Sequence, residues 1–336
     1  MKDRPTIIVI TPVRNEAWVL DAFLTCTSSW ADYIILADQH SDDGTREIAA
    51  KYEKVILIDN PTDEWYEYIC RTRLLEEVAK IPGEKIIFGL DADEFLSEGF
   101  ELTDSWHQMM SSQGNVIYCL KWLNLFDCYS TVEYTDHYSD WVAHFDGTVD
   151  FVDEYRKREE HAVHCARVPC LETERCKYVF VDDFWVVHLA KLNHERIRQK
   201  FDFYQVTWVD KNKDKANPIK MYRGYSKYYP DTITRLDAPV KLCCMGSSED
   251  YSCLVKTSDY GKHYVEEMIQ VFEREGTEKF MKLCIWDNPY LVKAGVNPRI
   301  PLKYRLLHSY LRKSQPKAGS NVIKVIDKVL KLLYRF

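Results

Sequence analysis

The run Ile86-Ile87-Phe88-Gly89-Leu90-Asp91-Ala92-Asp93-Glu94 decides the fold. Its apolar part lacks polar alternation, which marks a strand covered on both faces, and it ends abruptly in acids. Three runs of the same texture precede it, at 6–10, 33–37 and 54–58, and the strand itself spans 85–90. Helical patterns lie between them. Residues 16–26 place Ala17, Leu20, Phe23 and Leu24 on one side, 45–52 follow Gly44, and 65–80 carry Ile69, Leu74, Leu75 and Val78 until Pro82-Gly83 stops the helix. Strands alternating with helices at this spacing imply right-handed βαβ crossovers. The expected class is α/β, an open, mostly parallel sheet flanked by helices.

From Val116 the texture changes. Aromatic and charged residues intermix through Tyr155 with few clear periods; residues 116–126 and 178–187 read as strands and the rest as loops over the sheet. Residues 193–208 are helical, with Ile197, Phe201, Tyr204 and Trp208 on one face, and 265–283 form the one firm helix of 210–300. At the end, 321–336 is a basic amphipathic helix: Val322, Val325, Ile326, Val329, Leu330 and Leu333 share one face, Lys324, Lys328, Lys331 and Arg335 the other. The expected organisation is a sheet domain over 1–208, in halves 1–105 and 106–208, then a mainly helical region over 209–336.

A chain of 336 residues suits one large domain or two unequal ones. Its net charge of −7 and pI near 5.9 exclude a general nucleic-acid binder, so no nucleic-acid partner is expected. No apolar stretch matches a signal peptide or membrane span, and the eleven cysteines are odd in number and scattered, as free thiols would be. Both point to the cytoplasm. The cluster His161, His164, Cys165, Cys170 and Cys176 lacks the paired C-x₂-C spacing of structural zinc sites. Neither G-x-G-x-x-G nor G-x-x-x-x-G-K-[ST] occurs, which disfavours dehydrogenases and P-loop enzymes, and G-x-S-x-G and H-E-x-x-H are absent too.

Open α/β sheets bind ligands outside the carboxyl ends of their strands. Here those ends lead into Thr11-Pro12-Val13-Arg14-Asn15-Glu16, into Asp38-Gln39-His40-Ser41-Asp42-Asp43-Gly44-Thr45 and into Asp91-Ala92-Asp93-Glu94. Two carboxylates at i and i+2 offer hard oxygen ligands that suit Mg²⁺ or Mn²⁺ bridging phosphate oxygens. The C-terminal helix has the character of one that lies on an anionic membrane, and packing on its own domain is the alternative.

These three motifs, in this order, resemble the family 2 glycosyltransferases of GT-A fold, and the resemblance covers about residues 5–100. It implies inverting, metal-dependent transfer of a sugar from a nucleotide-diphosphate donor to a glycan, lipid-linked or other hydroxyl acceptor, at the inner face of a membrane if the C-terminal helix binds one. Thr11 and Pro12 would line the nucleotide pocket with Arg14 beside them, Glu16 would lie near the ribose or base, and Asp38 would bond the base. Asp91 and Asp93 would hold Mn²⁺ or Mg²⁺ and the diphosphate, and His188 would be a further metal ligand. Arg71, or Arg73 one turn position on, resembles the family's arginine before the D-x-D, and Lys200 would neutralise the leaving diphosphate. Asp183, Asp182 and, after them, Glu172 are the candidates for the catalytic base. Gln39 departs from the family pattern, where a second acid is usual. Two rival readings remain: a nucleotidyltransferase that forms sugar nucleotides, and a non-catalytic glycan- or nucleotide-binding protein of the same fold.

Overall fold

The protein is seen in a computed structural model that describes residues 4–60, 67–126, 128–159, 165–172, 175–212, 216–226, 233–243, 254 and 261–334. Two compact units result, Met1–Leu192 with Thr232–Lys256, and Asn193–Asp231 with Thr257–Phe336. Helix His194–Lys211 thus belongs to the second unit. The reason is packing: helix His194–Lys211 buries Val206 and Val209 in a cluster with Val265, Met268 and Phe272 of the later helix Lys262–Glu275.

The first unit is an α/β sheet flanked by helices. Strands β1 (Thr6–Val13), β2 (Tyr33–Asp38), β3 (Val55–Asp59) and β4 (Lys85–Gly89) form a parallel block in the order β3-β2-β1-β4. Alternate residues of this block feed two different cores. Ile7, Val9, Ile34, Leu36, Ile86 and Phe88 pack with helix α1 (Ala17–Trp30), whereas Ile8, Ile10, Ile35 and Ile87 pack with Cys70, Leu74, Leu75 and Val78 of the helix Glu67–Ala79. Both faces are covered, which is why these strands carry no polar alternation. Each such side chain contributes about 1.5–3 kcal/mol by leaving water.

Beyond β4 the sheet continues through β5 (Glu94–Leu96), β6 (Val116–Phe126), β7 (Cys128–Phe145), β8 (Lys177–Phe180), β9 (Val186–His188) and β10 (Thr234–Arg235). The order runs β4-β7-β6-β9-β5, with β7 antiparallel to both β4 and β6. Strand β7 falls where loops were expected. Its first half is mostly half-buried or exposed, and its pairing with β6 shifts register at three places, so no clean period reaches the sequence. The single strand expected over 178–187 is two strands, β8 beside Val116–Cys119 and β9 beside Trp122–Asn124 of β6.

The second unit is helical, as expected for the C-terminal region. Its cores gather Val206, Val209, Met221, Met268, Phe272, Phe280, Leu283, Ile285 and Leu291, and separately Ile219, Cys284, Leu307 and Leu311. The firm helix expected over 265–283 spans Lys262–Glu275, stopped by Gly276. Helices Pro218–Tyr225 and Leu302–Ser314 were not anticipated. Cys26 is disulfide-bonded, a correction to the expectation of free thiols throughout. Proximity created by folding is invisible in cysteine spacing. His161 and His164 lie outside the described residues.

Candidate functional site

The polar turns after β1, β2 and β4 are built into one another. Parallel register sets Val13 beside Asp38, and the two-residue repeat of a strand puts Thr11 on the same face of the sheet as Asp38. The turn after β2 then braces the start of α1: Glu16 N donates to Thr45 Oγ1 at 2.9 Å, Ala17 N to Asp43 Oδ2 at 3.0 Å, and Asn15 N to Ser41 Oγ at 2.9 Å. Asp42 N returns a bond to Asn15 Oδ1 at 2.9 Å. These bonds hold Asn15 and, in the opposite turn, His40 at positive φ values of 55° and 51°. Non-glycine residues in that region cluster at functional sites, where the surrounding structure over-determines them. Gly44, at φ 98°, closes the second turn.

Asp38 is fully buried. Its Oδ2 accepts from Arg46 Nη1 at 2.8 Å and from Ser41 N at 3.3 Å, and Arg46 also reaches Asp59 Oδ1 at 2.8 Å. Asp38 Oδ1 and the hydroxyl of Thr11 are buried without a protein partner among the described residues. Glu16 accepts from Trp18 Nε1 at 2.5 Å. Pro12, near the end of β1, and Arg14, just after it, are half-buried.

The acids after β4 meet two arginines, the buried Arg71 and the half-buried Arg167. Arg71 Nη2 lies 3.1 Å from Asp91 Oδ1, while its Nε and Nη1 are buried with no protein partner among the described residues. Arg73, the alternative, donates instead to the Asp59 carbonyl at 3.3 Å. Arg167 lies 3.0 Å from Asp91 Oδ2 and grips Glu94 with two bonds of 2.9 Å. The guanidinium of Arg167 also stacks 4.2 Å from the Trp141 ring centroid and 5.5 Å from that of Trp122. Burial works against ionisation of Asp91, but Arg167 and Arg71 outweigh it and hold the carboxyl below its ordinary range. For Glu94, burial dominates over Arg167, and Asp91 and Asp93 add to it, pushing the carboxyl up to about 8.

Asp93 is buried beside His188, whose Nε2 lies 3.6 Å from Asp93 Oδ1. The antiparallel pairing of β5 and β9 makes the approach, and Leu189 N donates to the Asp93 carbonyl at 2.8 Å. The other ring nitrogen, Nδ1, donates to Asn124 Oδ1 at 2.9 Å, and the ring stacks on Trp122 with centroids 5.2 Å apart. A bond from Nδ1 leaves Nε2 as the basic nitrogen, the usual preparation of a ligating histidine. Among the described residues no three His, Cys, Asp or Glu side chains gather into a metal-holding group. The pair nevertheless fits a small dication, because Mg²⁺-type sites commonly use one or two protein ligands and take further oxygens from substrate phosphates.

Other expected residues lie in different surroundings. Asp182 is exposed and bound to Lys121 Nζ at 2.8 Å and Tyr138 OH at 2.5 Å, and these bonds hold it below the usual carboxylate range. Asp183 accepts from Ser105 N at 3.0 Å, at the start of helix Asp104–Met110. Glu172 is exposed. Lys200, in the second unit, sits 5.9 Å from the Tyr204 ring centroid.

Several participants had no sequence signal. Arg167, Trp122, Asn124 and Arg46 acquire their contacts only through strand pairing and loop packing. Gly89 did carry a clue, a glycine inside the strand that leads to the acids. A Cβ there would stand 2.7 Å from the Arg167 carbonyl oxygen, so only glycine lets the loop bearing Arg167 come this close.

No protein-family model matches the chain, and no curated protein matches it either. Solved structures with some likeness include 4-diphosphocytidyl-2C-methyl-D-erythritol synthase from Anaerococcus prevotii, at 18% identity and TM-score 0.35 over 53% of this chain and 88% of that one. Mannose-1-phosphate geranyltransferase from Thermus thermophilus aligns at 11% identity and TM-score 0.32, over 52% and 73%. Glucosyl-3-phosphoglycerate synthase from Mycobacterium tuberculosis, in complex with Mg²⁺ and uridine diphosphate, aligns at 17% identity and TM-score 0.25, over 34% and 43%.

Proposed function

We propose that the protein is a metal-dependent glycosyltransferase that moves a sugar from a nucleotide-diphosphate donor to a hydroxyl acceptor with inversion. The observation that carries this reading is Arg71: a buried guanidinium tied to Asp91 on one side, with Nε and Nη1 lacking protein partners among the described residues. Buried donors left over at the carboxyl edge of a parallel sheet suit phosphate oxygens. Asp38 Oδ1 and Thr11 Oγ1 supply the matching polar atoms for base and ribose, with Pro12, Arg14 and Glu16 along the same segment.

Asp93 and His188 would hold Mn²⁺ or Mg²⁺, joined by Asp91 as the arginines turn to phosphate. The metal supplies charge stabilisation for the leaving diphosphate. Arg71 and Arg167 orient that diphosphate, and the Nδ1 bond to Asn124 keeps His188 facing Asp93. A carboxylate accepts the proton of the attacking hydroxyl, a step contributing roughly 10²- to 10⁴-fold. Asp183 and Asp182 remain the proposed bases, with Glu172 behind them. The acceptor is a glycan or lipid-linked hydroxyl. Residues 1–105 would be the nucleotide half and 106–208 the acceptor half.

The test is release of nucleoside diphosphate from uracil, guanine and thymine nucleotide-diphosphate sugars with Mn²⁺, in wild type and Asp93→Ala. Turnover lost in the variant supports the reading. Pyrophosphate release from a sugar phosphate and a nucleoside triphosphate would instead establish a nucleotidyltransferase, and binding without turnover a non-catalytic protein.

A further inference from the structure

The last helix of the chain turns its apolar face outward. In Asn321–Leu333, Val322, Val325, Ile326, Val329, Leu332 and Leu333 are between 38% and 71% exposed, whereas the buried residue is an acid, Asp327. A helix packed for core stability would show the reverse. The orientation is imposed by a polar clip. Arg223 Nε donates to Asp327 Oδ2 at 2.9 Å, Tyr310 OH donates to Asp327 Oδ1 at 2.8 Å, and Arg223 Nη1 and Nη2 bond the Leu311 carbonyl and Ser314 Oγ at the end of helix Leu302–Ser314. Ile323, Leu330 and Tyr334 turn to the same side as Asp327 and are half-buried. Tyr334 OH donates to the Lys303 carbonyl at 3.3 Å, so the two helices run as an antiparallel hairpin. The first helix of that hairpin exposes two further leucines one turn apart, Leu302 and Leu306.

Charge selects the partner. Between Lys303 and Phe336 stand nine Lys or Arg and one acid, and that acid is the buried Asp327; the residues before Lys303 hold 36 basic against 51 acidic side chains. On the helical wheel Lys331, Lys324 and Lys328 stand about 40° to 100° round from Asp327, on one flank of the helix between it and the exposed apolar face, where long side chains can reach past the face to phosphates. No helix among the described residues is long and apolar enough to cross a membrane.

We propose that the hairpin Leu302–Leu333 docks the protein on an anionic lipid bilayer, the apolar face entering the headgroup boundary and the lysines meeting lipid phosphates. This rests on the surface alone and not on the proposed reaction. The test is flotation of the full chain with phosphatidylcholine vesicles, with and without phosphatidylglycerol. Wild type should float with the anionic vesicles only. Val325→Glu with Val329→Glu should abolish flotation, and each of Lys324→Gln, Lys328→Gln and Lys331→Gln should weaken binding about fivefold. All these positions but the half-buried Lys331 are exposed, and unchanged circular dichroism confirms folding. Equal flotation with neutral vesicles, or none with either, overturns the proposal. So does light scattering that shows a lipid-free dimer dissociating in the Val325→Glu, Val329→Glu variant, because the face would then meet a second copy of the chain.

Discussion

His188 Nε2 stands 3.6 Å from Asp93 Oδ1, held there by the Nδ1 bond to Asn124 and by the pairing of β5 with β9. Neither residue can form this pair alone, and a dication would be held by both. His188→Ala and Asp93→Asn should therefore each weaken Mn²⁺ binding at least tenfold, a loss of about 1.4 kcal/mol, measured by calorimetric titration. Asn124→Leu should do so through orientation alone, on the order of 10-fold. Unchanged affinity in both direct variants would remove the metal assignment.

Arg167 and Glu94 form a second pair that is coupled through burial. Above about pH 8, where the Glu94 carboxyl is ionised, Arg167→Met should cost about 3–5 kcal/mol, because that carboxylate then loses two of its donors in the interior. Adding Glu94→Gln should recover much of that loss, since the charge is then gone. Urea unfolding of the four members of the cycle measures the coupling, and additive losses would show that the pair does not act as a unit.

Gly89→Ala tests the close approach directly. The new methyl would collide with the Arg167 backbone, so a loss of about 1–3 kcal/mol is expected, accompanied by weaker donor binding as Arg167 shifts. A fully stable variant would mean that the loop yields without consequence.

His308 gives the second unit a predicted acid sensitivity. Burial pushes its pKa down to about 4, with Nε2 donating to the Lys282 carbonyl at 3.2 Å. In the unfolded chain the ring takes a proton near about pH 6.5. Above that value both states are neutral and stability does not change. As pH falls toward the folded value, the unfolded state gains protons first, and stability declines by up to about 1.4 kcal/mol per pH unit. His308→Gln should flatten this slope in denaturant titrations between about pH 7 and about pH 5; an equal slope in the variant would place the sensitivity elsewhere.

The parallel block was legible because each of β1 to β4 is covered on both faces, and an unbroken apolar run followed by a polar turn has few other interpretations. The acids of the three turns were legible for the same reason, since strand ends fix where they emerge. Strand β7 was not, because its half-exposed first part and shifted register leave no period. Arg71 was found one helix before the acids, yet only the fold shows that it and not Arg73 reaches Asp91.

By itself the amino-acid sequence determined the α/β class, the succession of its first four strands, the acidic turns that follow them and the amphipathic character of the last helix. All of these are local: they depend on the period of apolar residues and on what stands at the end of each run. Tertiary structure alone decided that Arg167 locks Asp91 to Glu94, that Asn124 aims His188, and that the last helix faces its apolar side outward. Those relationships join residues far apart in the chain, and the energy that sets them, the pairing of buried charge, has no counterpart in local sequence pattern.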